Sequence, residues 1–208
     1  MRFLVVVVAM AAFTGSALAP DASVRWPTQG PLRVLFVGDS ITVGDFTNDP
    51  RNQFASQVAG YLQARGPVVA TKDAEGGVRV GYWSARQMPS RQQLAIVELG
   101  TNDLFASPAP STDVLASFDS QYRALVAHIT AASAGVRLVC LSVWHPVGHT
   151  ADTLPYDVRI RRDCRGAYVN ISDLGTTANL AADGFHPNDA AHRDIALRIE
   201  AALHLSRH

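Results

Sequence analysis

Three stretches of the chain are almost wholly apolar and end in a turn: Leu32 to Val37 runs into Gly38, Ala95 to Leu99 into Gly100, and Val136 to Val143 into Trp144-His145-Pro146. A short apolar run closed by glycine or a turn reads as a strand buried on both faces. Val68 to Thr71 and Ala167 to Ile171 are weaker runs of the same kind, which makes about five strands. Between them the apolar residues change period. Phe54, Val58, Tyr61 and Leu62 fall on one helix face, as do Val114, Phe118, Tyr122, Leu125, Val126 and Ile129. Ala190 to Leu205 closes the chain as an amphipathic helix with Ile195, Ile199 and Leu203 in line. Strands alternating with helices predict an α/β fold, a parallel sheet covered on both sides, because parallel strands need crossovers and both sheet faces must be buried. In such a sheet, ligands bind at the loops leaving the carboxyl ends of the strands.

The first residues follow a different rule. Met1-Arg2, the apolar run Phe3 to Phe13 and Ser16-Ala17-Leu18-Ala19 have the form of a signal peptide over residues 1–19, cleaved after Ala19, which predicts a secreted or periplasmic protein with no stable membrane anchor. The run is too short to span a bilayer, which takes about 20 apolar residues. Residues 20–31, with three prolines, read as a lead-in to a single domain over 32–208. Lysine plus arginine equals aspartate plus glutamate at 18 each, so the charge balance argues against nucleic acid as a partner. Cys140 and Cys164 are the only cysteines; an exported pair is compatible with a disulfide, and two inert buried thiols are the alternative.

The chemistry concentrates at the predicted rim. Gly38-Asp39-Ser40 places a hydroxyl at a sharp turn directly after a buried strand. Serine needs a base to take its proton, and the base needs a partner to fix its tautomer. Asp183-Gly184-Phe185-His186, just before the last helix, offers both, with Pro187 stiffening the loop. Asn102 brings an amide that can donate to an oxyanion, together with the Ser40 N–H and a glycine N–H. Asp39 and Asp103 read as groups that brace their turns. His145 and His149 flank Pro146 at the same rim, and Tyr82, Trp83 and Trp144 either line a pocket or pack in the core. No His/Cys spacing suits a metal, and no cofactor is expected.

These segments resemble the blocks of the SGNH/GDSL hydrolase family: Gly38-Asp39-Ser40, Gly100-Thr101-Asn102-Asp103 and Asp183-Gly184-Phe185-His186, in the family's order, over the span from Leu32 to the C-terminal helix. The resemblance implies a flavodoxin-like three-layer α/β/α sandwich and a cofactor-free serine esterase or lipase, with Ser40, Asp183 and His186 as triad. The oxyanion hole would be Ser40, Asn102 and a glycine, either Gly81, which precedes a helix-like stretch from Trp83, or Gly77. The segment Asp73 to Gly81 lacks the asparagine that often precedes the family's glycine. The implied substrate is a small acyl ester, of a carbohydrate or a lipid. A noncatalytic glycan- or lipid-binding domain and an acyltransferase using the same triad are the competing functions.

Overall fold

Leu32–Gly38 forms β1 at the centre of a computed structural model that describes residues 24–147 and 151–203. The elements follow as α1 (Ser40–Val43), α2 (Phe54–Gln63), β2 (Val68–Ala74), α3 (Val80–Ser84), β3 (Leu94–Glu98), α4 (Thr101–Ala106), α5 (Thr112–Ala132), β4 (Arg137–Leu141), α6 (Leu154–Asp163), β5 (Ala167–Val169) and α7 (Asp189–Ala202). The five strands lie in the order β2-β1-β3-β4-β5, every pairing parallel. This is the doubly wound flavodoxin-like order, and its switch point lies between β1 and β3.

Alternation along the strands sorts the two cores. Leu32, Val34 and Phe36 face α2 and α7, where they meet Phe54, Val58, Leu62, Ile195 and Ile199. Leu35 and Val37 face the other way, toward Phe118, Tyr122, Leu125 and Ile129 of α5 and Tyr156 and Ile160 of α6. Each aliphatic or aromatic side chain buried so fully is worth about 1.5–3 kcal/mol against exposure. The helices that supply these side chains are capped: the Ser111 side chain accepts from the Val114 N–H, and that of Asn188 from Ala190 and Ala191.

All five predicted strands are present. Val114, expected on the buried face of α5, is instead 37% exposed, in the first turn of the helix. The lead-in docks rather than trails: Val24 is buried, and its N–H donates to Leu203 O at 3.4 Å. Cys140 and Cys164 form a disulfide that ties β4 to the end of α6 inside the second core. The predicted leader with its cleavage site after Ala19, His149, and the end of the closing helix beyond residue 203 lie outside the described residues.

Candidate active site

The register of the sheet assembles the site. Gly38 pairs with Ala74 on one side and Glu98 on the other, so the turns after β1, β2 and β3 emerge together at the switch point. Gly38 has no room for a side chain, since a Cβ there would sit 1.9 Å from Thr42 Oγ1 and 2.8 Å from Glu98 O. The chain then turns sharply into α1, where Asp39 is the N-cap and accepts from the Ile41 N–H at 3.0 Å. Ser40 is thereby the first residue of the helix, 7% exposed.

Ser40 Oγ lies 3.0 Å from His186 Nε2, and His186 Nδ1 lies 2.5 Å from Asp183 Oδ2. The other Asp183 oxygen accepts from the N–H groups of Phe185 and His186, both at 3.1 Å, so one carboxylate shapes the loop and orients the ring. Desolvation raises the Asp183 carboxyl, but the His186 bond and the two N–H groups outweigh it and hold the group below the usual range. The loop is tied at several points. Ala181 N donates to His186 O, Leu180 bridges Pro187, and Asn188 Nδ2 donates to the carbonyls of Ala178 and Leu180. Trp144, fully buried and thus a core residue, donates its indole N–H to Phe185 O at 2.7 Å.

Asn102 stands in the second position of α4, and its amide nitrogen donates to Asp39 Oδ2 and to Val78 O, both at 3.0 Å. Asp103 accepts from the Val80 N–H; its desolvation outweighs that bond and the nearby Arg79, and raises the carboxyl to about 6. The glycines differ from expectation. Gly81 is not ahead of a helix but inside α3, with its Cα face against Gln121 of α5. Gly77 has φ +75° and opens onto free space. Gly76 is the glycine beside Ser40: a Cβ there would lie 3.8 Å from Ser40 Cβ. The expectation rested on helix-start geometry, whereas α3 begins one residue before Gly81 and packs that residue on its neighbour.

Other side chains at the rim carry no motif. Phe46, at φ 66°, stacks on His186 with ring centroids 4.8 Å apart. Phe105 stacks on His145 and meets Phe185 edge-on, which places His145 at the rim as predicted. Tyr82 donates to the Glu75 carboxylate beneath Arg86, while Trp83 is buried and donates its indole N–H to Gly38 O. His192, fully buried behind the site, accepts from the Phe54 N–H, and burial depresses it to about 4.

The fold recurs in solved structures. A two-domain esterase active on acetylated mannans is 20% identical with a TM-score of 0.66 over 83% of this chain; the chain spans about half of that protein, 49%. An acetyl xylan esterase from Geobacillus stearothermophilus is 18% identical, TM-score 0.64, with 82% of this chain and 94% of that one covered. The psychrotrophic esterase EstA from Pseudoalteromonas sp. is 16% identical, TM-score 0.65, with 83% and 96% covered. At these identities the likeness shows the fold. No curated protein matches the sequence. The GDSL-like lipase/acylhydrolase family model, however, matches residues 36–193, the span that holds the β1 turn, Asn102 and the Asp183–His186 loop, and the chain belongs to this family.

Proposed function

We propose that the protein is an exported serine esterase that cleaves small acyl esters through an acyl-enzyme on Ser40. The observation that carries this reading is the unbroken relay Ser40 Oγ, His186 Nε2, His186 Nδ1, Asp183 Oδ2, with contacts of 3.0 and 2.5 Å. Ser40 Oγ attacks the ester carbonyl while His186 takes its proton, and Asp183 stabilises the imidazolium that results. His186 returns the proton to the departing alcohol; water then enters by the same route and frees the acid and Ser40. The oxyanion is met by the Ser40 N–H, the Asn102 amide and the backbone of the Gly76–Gly77 turn. Both amide hydrogens of Asn102 are engaged in the free protein, so one of its bonds gives way as the oxyanion forms.

The likeness to esterases described as acting on acetylated mannans and on acetyl xylan favours an acetylated carbohydrate as substrate. Export is supported by the pattern of residues 1–19, and no helix among the described residues is long and apolar enough to cross a membrane. The test is hydrolysis of p-nitrophenyl esters from acetate to palmitate, by the wild type and by Ser40→Ala. Activity is expected to be greatest on acetate and to fall in the variant by a factor on the order of 10^4 or more. Equal rates in both proteins would remove Ser40 from the mechanism. A wild type that neither turns over any ester nor reacts with a fluorophosphonate would support a binding domain instead.

A further inference from the structure

Two carboxyl groups lie one behind the other under the nucleophile, and both are fully buried: Asp39, the cap of α1, and Glu98, the last residue of β3. Gly38, the residue before Asp39, pairs with Glu98 across β1 and β3, which brings the two carboxyl groups together beneath α1. Thr42 donates its hydroxyl to Glu98 Oε2 at 2.9 Å, and the backbone N–H groups of Asp39 and Thr42 approach the same carboxyl. Glu98 Oε1 has no well-formed bond to any N–H or hydroxyl donor. Asp39 accepts from Ile41 N on one oxygen and from Asn102 on the other.

Neither carboxyl has an ion-pair partner among the described residues. From α5 the group that faces Glu98 is the Tyr122 phenol, itself buried and without a hydrogen-bond partner. From the loop before α7, His186 faces Asp39. Two adjacent carboxylates in such a place repel each other and have lost their water, whereas one proton between them removes the repulsion and supplies the missing donor.

We propose that Asp39 and Glu98 share a single proton, and that Glu98 is a positioning residue which, through this bond, sets Asp39 as the acceptor that aims and releases Asn102. The proposal rests on the reading of Ser40 as nucleophile and Asn102 as oxyanion donor. With the proton in place, Asp39 carries part of a charge and holds the amide loosely enough for the oxyanion to claim it. Without the proton, a full second charge sits beneath the site and keeps the amide for itself. Burial pushes both carboxyls upward, which agrees with a proton retained at neutral pH.

Glu98→Gln separates this role from mere structure, because its amide donates to Asp39 as a protonated carboxyl does and its oxygen still accepts from Thr42. Three results are expected. At neutral pH Glu98→Gln keeps kcat within about 3-fold of wild type, while Glu98→Ala, which strips a buried carboxylate of its donor, loses about 10- to 100-fold. The alkaline limb of the wild-type kcat profile is absent from Glu98→Gln, which has no shared proton to lose. Carbon-13 NMR of labelled side-chain carboxyls shows one buried, protonated carboxyl at neutral pH in the wild type and none in Glu98→Gln. A folded Glu98→Gln as inactive as Glu98→Ala, an unchanged alkaline limb, or two ionised carboxyls in the wild type at neutral pH would each overturn the proposal. The NMR signal needs no turnover, so a protein with no esterase activity would refute the proposed function while leaving the shared proton decided on its own.

Discussion

His192 and Asp103 are both shielded from water, and they answer acid in opposite directions. The His192 ring is neutral in the folded protein and titrates near 4, so unfolded chains take up its proton first and stability falls as the pH drops from about 6.5 through 4. Asp103 titrates near 6, so its native carboxyl gains its proton first, and stability rises as the pH drops from about 6 to 4. Each contribution is about 3 kcal/mol at most, and in the wild type they offset one another. Urea unfolding at pH 6.5 and 4.5 is expected to show Asp103→Asn losing more stability on acidification than the wild type, and His192→Asn losing less. Parallel behaviour of all three proteins would mean that neither group is held as the structure has it. Such residues are hard to see in the sequence. Ser40, Asp183 and His186 announce themselves because each sits in a short motif beside a strand or helix end. Glu98 hides in an apolar run, where one charge among buried neighbours says nothing of its partner. Phe46 reaches His186 only through a left-handed backbone that no spacing reveals.

At the scale of the element, the turn from β1 into α1 leaves no space for a side chain at Gly38. Gly38→Ala places a methyl group against Thr42 Oγ1 and the Glu98 carbonyl, backbone included, so the turn must shift. The variant is expected to lose about 1–3 kcal/mol of stability and a larger share of activity, measured by thermal unfolding beside ester hydrolysis, because the same shift moves Ser40. Asn188 does for the His186 loop what Asp39 does for the serine turn, since it caps α7 and binds the Ala178 and Leu180 carbonyls. Asn188→Ala should cost about 1–2 kcal/mol, read from the shift in urea midpoint. The strands and the long helices were legible because their apolar residues keep a clean period. α6 was not: Leu154 and Val158 lie outward and half-exposed while Tyr156 and Ile160 turn inward, so arginines and apolar residues alternate without a single stripe. α3 and α4 are too short for periodicity to act at all.

At the scale of the whole molecule, a disulfide joins β4 to the end of α6, its cysteines 24 positions apart in sequence. Closing a loop of that size restricts the unfolded chain by about 3 kcal/mol. The Cys140→Ala/Cys164→Ala protein should therefore melt about 6–12 °C lower in calorimetry, while a reductant leaves its melting point unchanged and lowers that of the wild type. The pairing was not legible in the sequence, because it depends on how α6 lies beside the sheet. The Ser40–His186 bond spans a far greater distance, 146 residues, and joins a turn near the start of the domain to a loop held by its last helix. That contact is among the latest a growing or refolding chain can make, since loop-closure entropy weighs against it until the sheet and α7 are docked. Recovery of hydrolysis after dilution from denaturant should trail the return of helical circular dichroism, which makes turnover a clock for the final step of folding.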